Sequence, residues 1–135
     1  MKNKKTIKIS SAKAKGRKLQ QWVAKKISEV TGIPCGKDCL IESREMGQCG
    51  VDVKLYGNAK EKFPFSVESK WQETWGLPAF VKQAKENKIK GTDWLLFLKK
   101  NRHEEIVVMD AKAFFDIWGQ YLNMLYGHDH KVKDG

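Results

Sequence analysis

The first 28 residues contain no acidic side chain. Ten basic ones stand there: Lys2, Lys4, Lys5, Lys8, Lys13, Lys15, Arg17, Lys18, Lys25 and Lys26. From Glu29 onward 16 basic residues meet 16 acidic ones, so the whole net charge of +10 belongs to the N-terminal segment. Charge concentrated in this way points to a polyanion, nucleic acid first and an acidic membrane surface second. Long apolar runs are missing too. No stretch approaches the roughly 20 residues of a membrane-spanning helix, so no membrane partner is expected. The lysine-rich start lacks the apolar core of a secretion signal, which leads us to expect a cytoplasmic protein. Cysteine is scarce and odd in number, with Cys35, Cys39 and Cys49 alone. That suits reduced thiols better than a disulfide framework. Cys35 and Cys39, even with His128 and His130, lack the second well-spaced ligand pair of a zinc motif. No internal repeat or linker divides the chain. At 135 residues, 41% hydrophobic and 31% charged, it is expected to be one folded domain.

Three segments are expected: a flexible basic arm over 1–9, a domain over 10–126 and a loose polar tail over 127–135. Ser10 or Ser11 can cap a helix running to about Thr31, where Gly32 and Pro34 stop it. Leu19, Trp22, Val23, Ile27 and Val30 form its apolar stripe. A short strand is expected over Leu40–Arg44. Val51, Val53 and Leu55 alternate with polar neighbours, as do Phe63, Phe65 and Val67, with a turn at Gly57 and Asn58 between them. A helix starts near Pro78, turning Phe80, Val81 and Ala84 inward with Gln83 beside them. Trp94–Leu98 reads as a strand buried on both faces, and Ile106–Met109 as another. Asp110 caps a last helix bearing Phe114, Phe115, Ile117, Trp118, Tyr121, Leu122 and Leu125. Trp22, Trp94 and Trp118 are expected in the core, whereas Trp71 and Trp75 fall in a loop where they could stack on an unpaired base. The order helix, three strands, helix, two strands, helix predicts an α/β fold with a central mixed sheet flanked by helices.

Strand periodicity places Glu68 and Lys70 on one face, and Asp52 on the polar face of the neighbouring strand. Two close carboxylates repel and call for a cation between them. Oxygen ligands with open positions suit Mg²⁺ or Mn²⁺, and the main-chain carbonyl of Ser69 can add a further ligand. A lysine beside such a pair can stabilise a pentavalent phosphorus. The combination describes phosphodiester hydrolysis with a metal cofactor.

An ordered series of motifs runs through the chain: Lys15-Gly16-Arg17-Lys18-Leu19-Gln20-Gln21, Ser43-Arg44-Glu45-Met46-Gly47, Gly50-Val51-Asp52, Phe63-Pro64-Phe65-Ser66-Val67-Glu68-Ser69-Lys70, then Gln83. The series resembles the PD-(D/E)XK nuclease superfamily. More closely, it is similar to small phage-encoded endonucleases related to archaeal-type Holliday junction resolvases. The resemblance spans about residues 13–118. It implies a single restriction-endonuclease-like domain with an α-β-β-β-α-β core. It implies a Mg²⁺- or Mn²⁺-dependent DNA endonuclease on branched DNA, acting as a homodimer, in the host-cell cytoplasm if the chain is phage-encoded. Asp52 and Glu68 would be the metal carboxylates, Lys70 the catalytic lysine, and Gln83 the residue positioning water or metal. Ser43 and Arg44 would meet DNA together with Lys13, Lys15, Arg17 and Lys18. The chain departs from the pattern on the first helix, where Gln20 or Gln21 stands in place of a glutamate, and Glu45 offers a weak substitute. Alternative readings are a less selective nickase, a restriction-like enzyme on ordinary duplex, or a nucleic-acid-binding module that kept the fold and lost catalysis. A dimer would also give an outlet for apolar surface on the last helix.

Overall fold

The computed structural model describes residues 4–45 and 48–133. Residues 1–3 of the expected arm, together with Met46 and Gly47 of the second motif, lie outside the described residues. The chain runs α1 (Lys4–Thr31), β1 (Ile41–Ser43), β2 (Val53–Leu55), α2 (Asn58–Lys62), β3 (Phe65–Trp71), α3 (Leu77–Asn87), β4 (Asp93–Lys99), β5 (Ile106–Met109) and α4 (Ala111–Tyr126). It is a mixed α/β fold whose three-stranded mixed sheet is flanked by helices.

Helix α1 begins at Lys4 rather than at Ser10 or Ser11. Both serines lie within the helix, so most of the expected arm is helical. Leu19, Val23, Ala24 and Ile27 are buried along one face of α1, whereas Val30 is exposed. Val30 sits in the last turn, just before Gly32 turns the chain at φ 73°. The expected turn at Gly57 and Asn58 is a short helix instead. Gly57 adopts the positive φ of 52° that precedes it, and the run Asn-Ala-Lys-Glu-Lys carries Ala59 into the core as a fully buried plug.

Strands β3, β4 and β5 form one sheet in that order, β3 parallel to β4 and β4 antiparallel to β5. The parallel pair is joined through α3, as such pairs require. Strands β1 and β2 form a separate antiparallel ladder with Glu42 opposite Lys54. The single expected sheet is thus two ladders, bridged at Asp52. Its N–H donates to the Val67 carbonyl at 2.8 Å, and its own carbonyl accepts from the Arg44 N–H at 2.8 Å.

Two apolar clusters fill the fold. One joins the buried face of α1 to Ile41, Val53, Ala59 and Val67, with Trp22, Phe63, Trp71 and Phe97 at its edge. The other packs Ala84 of α3, with Phe80 and Val81, on Trp94, Leu96 and Leu98. Val67 and Leu96 therefore look to different layers, and Glu68, in register with Leu96, looks toward α3.

Helix α4 starts at Asp110 as expected: the Ala113 N–H donates to the Asp110 carboxylate at 3.1 Å. Its large apolar residues are not core, however. Phe114, Phe115, Ile117, Trp118, Tyr121 and Leu125 are exposed, and only Ala113 and Gly119 are buried. The His130 N–H donates to Asn123 Oδ1 at 2.5 Å. Gly119 lies so close to this segment that a Cβ there would stand 2.5 Å from the His130 carbonyl oxygen.

Candidate active site

Asp52 lies in the bend that enters β2, immediately after the glycine-containing segment 47–51. Its carboxylate is turned inward and only 3% of the residue is exposed. Three donors hold it. Arg44 Nη2 donates to Oδ1 at 2.5 Å. The Ser69 N–H and hydroxyl donate to Oδ2 at 2.7 and 3.2 Å. The bond from Ser69 links Asp52 to the residue after Glu68, so the register of β3 fixes the carboxylate pair.

Glu68 is equally buried, at 3% exposure. Asn87 Nδ2, from the last turn of α3, donates to Oε2 at 3.2 Å, and Lys70 Nζ lies 3.7 Å from Oε1. Desolvation pushes the Glu68 pKa above its ordinary 4.5, and the neighbouring Asp52 charge pushes the same way. The Asn87 hydrogen bond, Lys70 and Arg44 oppose this and do not cancel it. Lys70 is half-buried with its ammonium 5.6 Å from the centre of the Phe80 ring. A cation at that distance is attracted by the electron-rich face of the ring.

These groups line one cleft of about 260 Å³. Gln83 of α3 lies on its wall with Asp52, Glu68, Ser69 and Lys70. Ala12, Gly16 and Gln20 of α1 form the opposite wall. Their spacing of four puts them on one helix face, and the two small residues leave the cleft open beside the carboxylates. Gln20 is 5% exposed, and its buried Oε1 has no hydrogen-bond partner. Gln21 is exposed and lines a different cavity, about 700 Å³ in volume, with Ser43, Glu45 and Cys35. The structure thus distinguishes the two glutamines and separates Ser43 from the carboxylates, because β1 turns its side chain to that second cavity. Arg44 points the other way and is buried against Asp52, so it serves as a carboxylate partner here. Its Nε is also buried without a partner.

Lys13, Arg17 and Lys18 are exposed on α1 and Lys15 is half-buried, next to the wall residues but outside the cleft. Trp71 is held: its Nε1 donates to Asn101 Oδ1 at 2.9 Å, and Lys99 covers its ring. Trp75 packs with the α3 layer beneath Lys100, 4.4 Å from its ring centre. Neither is a free stacking platform. Asn87 escaped the sequence reading. The signal was its place four residues after Gln83, on the same helix face. Trp118, expected in the core, is exposed on α4.

Oxygen donors dominate the cleft. Asp52, Glu68 and the unpartnered Gln20 Oε1 fit a hard divalent cation, and the orphaned oxygen is the observation that tests this fit. Among the described residues no group of three or more His, Cys, Asp or Glu could hold a metal ion. A cation here would rest on two carboxylates and neutral oxygens, and Cys35, Cys39, His128 and His130 form no such group. No helix is long and apolar enough to cross a membrane among the described residues. No protein-family model matches the chain, and no curated protein or solved structure does.

Proposed function

We propose that the chain is a metal-dependent DNA endonuclease that hydrolyses phosphodiester bonds, with branched DNA such as a four-way junction as its substrate. One observation carries the reading: two buried carboxylates share a cleft with a lysine and with Gln20 of α1, whose buried Oε1 has no hydrogen-bond partner. A buried pair of carboxylates destabilises a fold unless something else is gained by keeping it.

Asp52, Glu68 and Gln20 Oε1 would hold Mg²⁺ or Mn²⁺, with the Ser69 carbonyl as a further ligand. The ion supplies Lewis acidity, lowering the pKa of water and neutralising charge on phosphorus. The side chains do the rest. Lys70 sets a positive charge beside the phosphate as its oxygens gain charge. Gln83 offers both a donor and an acceptor to orient the attacking water. The water oxygen bonds to phosphorus, one sugar oxygen leaves, and it takes up a proton. Lys13, Lys15, Arg17 and Lys18 hold the flanking phosphates, which positions the duplex without reading its sequence.

A side-by-side assay on junction, flap, nicked and linear duplex tests this. Cleavage with Mg²⁺ or Mn²⁺, strongest on the junction, is expected, with none in EDTA. Lys70→Ala should lose about 10²–10³-fold in rate with binding retained. Equal cutting of all four substrates would favour the nickase or restriction-like reading. No cutting with either metal would favour a binding module, which the Arg44–Asp52 ion pair also suits, since it neutralises Asp52 without a cation.

Binding should depend steeply on salt. The double variant Lys13→Glu, Arg17→Glu is expected to weaken junction binding and flatten the log–log salt slope by about 2, each cation contributing close to one released counterion. An unchanged slope in titrations at 50–200 mM salt, a range over which phosphate contacts are sensitive, would remove α1 from the DNA interface.

A further inference from the structure

Both oxygens of the Asp52 carboxylate are already taken. Arg44 Nη2 donates to Oδ1 at 2.5 Å, and the Ser69 N–H and hydroxyl donate to Oδ2. The charge is answered as well. The Arg44 and Asp52 side chains are 12% and 5% exposed, so they meet as a largely buried ion pair. Glu68, by contrast, has Lys70 at 3.7 Å. A dication on Asp52 would stand against the guanidinium, and like charges at short range repel strongly where water is excluded. The two compete for one carboxylate.

The guanidinium is itself incompletely used. It presents five donors in a rigid fork, and its Nε is buried with no hydrogen-bond partner among the described residues. A buried donor left unsatisfied is costly, so Arg44 is not in the arrangement that suits it best. A phosphodiester offers two oxygens, which fit Nε and one Nη side by side. Arg44 lines the same cleft as Asp52, Glu68 and Lys70. Its backbone is tied down, since the Arg44 N–H donates to the Asp52 carbonyl at 2.8 Å. A change of partner therefore falls to the side chain.

We propose that Arg44 is a resident counter-ion of Asp52 that leaves the carboxylate when a nucleic-acid phosphate arrives to fill its fork. The inference rests on the metal-dependent reading of the cleft. Arg44 opposes a divalent cation in the free protein and ceases to oppose it in the complex. Nucleic acid and cation therefore raise each other's affinity by the same factor. The hydrolytic site is completed on the substrate and not in advance of it.

Mn²⁺ titration of the full chain without DNA, followed by the electron paramagnetic resonance of free Mn²⁺, tests this. Arg44→Met keeps an apolar stem and drops the charge. It should bind Mn²⁺ about 10-fold more tightly than the wild type. It should also gain more in Tm from millimolar Mn²⁺, because a cation then replaces the lost partner of Asp52. A residue that only holds the fold, or only contacts DNA, would leave Mn²⁺ binding unchanged or weaker, and either result overturns the proposal. Lys82→Met removes the same charge from the exposed side of α3 and should leave the affinity unchanged; an equal gain there would show an effect of net charge alone and overturn it too. Should Arg44→Met fail to fold by circular dichroism, Arg44→Gln takes its place. A further check keeps Arg44 and uses Lys70→Ala, which leaves the junction largely uncut. Its affinity for a four-way junction, read by fluorescence anisotropy at constant ionic strength, should rise about 10-fold with Mn²⁺; an unchanged affinity overturns the coupling. Failure of the nuclease reading looks different. In that case neither the wild type nor any variant binds Mn²⁺ or cuts, which overturns both. Failure of this inference alone leaves a wild type that cuts and an Arg44 variant that gains nothing.

Discussion

Asp52→Asn is expected to lower the stability of the fold by about 3 kcal/mol, a fall of about 10 °C in Tm for a domain of this size. The reason lies in Arg44. Its guanidinium is largely buried, the side chain 12% exposed, and Asp52 is its partner at 2.5 Å. Removing one member of a buried ion pair leaves the other charged and desolvated, which costs far more than the pair contributed. The asparagine oxygen can still accept from the Ser69 N–H, so the backbone link survives and the loss reports the unpaired arginine. The double variant Asp52→Asn, Arg44→Met should recover most of the loss. Thermal unfolding followed by circular dichroism checks both; a single variant as stable as wild type would show that Arg44 finds water or Glu68 instead.

Glu68→Gln should act in the opposite sense. It is expected to abolish cleavage while raising Tm by several degrees at neutral pH, the scale of about 1 kcal/mol. Glu68 binds its proton more tightly in the folded protein than in the unfolded chain, because burial and Asp52 disfavour its charge. Folded-state stability therefore falls as pH rises from the ordinary value of 4.5 through the raised value, and stays lower above it. Glutamine is neutral throughout, so the advantage of the variant should be full at neutral pH and vanish on acidification below 4.5. Glutamine keeps an oxygen for the Asn87 donor, which limits the side effects of the change. Melting curves from pH 4 to 8 provide the check, and a variant less stable than wild type at neutral pH would contradict this account. The two carboxylates thus differ in kind: the fold depends on one and tolerates the other.

Much of this arrangement was legible in the chain. Alternation placed Glu68 and Lys70 on one face because a strand admits no other arrangement. Asp110 and the apolar run after it gave the start of α4 to the residue. Gln83 was expected beside the site and lines its wall. What the chain concealed depends on tertiary context. Gln20 and Gln21 are adjacent and identical in type, and only the rotation of α1 against the sheet decides which one enters the cleft. Arg44 and Ser43 were taken together as DNA contacts, yet Ser43 at the end of β1 and Arg44 just after it point to opposite sides. The apolar residues of α4 were expected partly as core because apolar spacing tells that a helix has a face, not what covers it. The α2 helix was missed because five residues are too few for periodicity to register.

Parallel pairing of β3 with β4 has a consequence in time. Asp52 is held by Val67 and Ser69, and both belong to β3. Strand β3 has β4 as its ladder partner, and that strand arrives only after α3 has carried the chain across. The carboxylate pair therefore depends on contacts far apart in sequence, and such contacts form slowly. A chain halted before Asp93 would have every residue of the site and lack the strand that pairs with β3. Activity and global folding should appear together in refolding, with no partly folded species able to cut a strand.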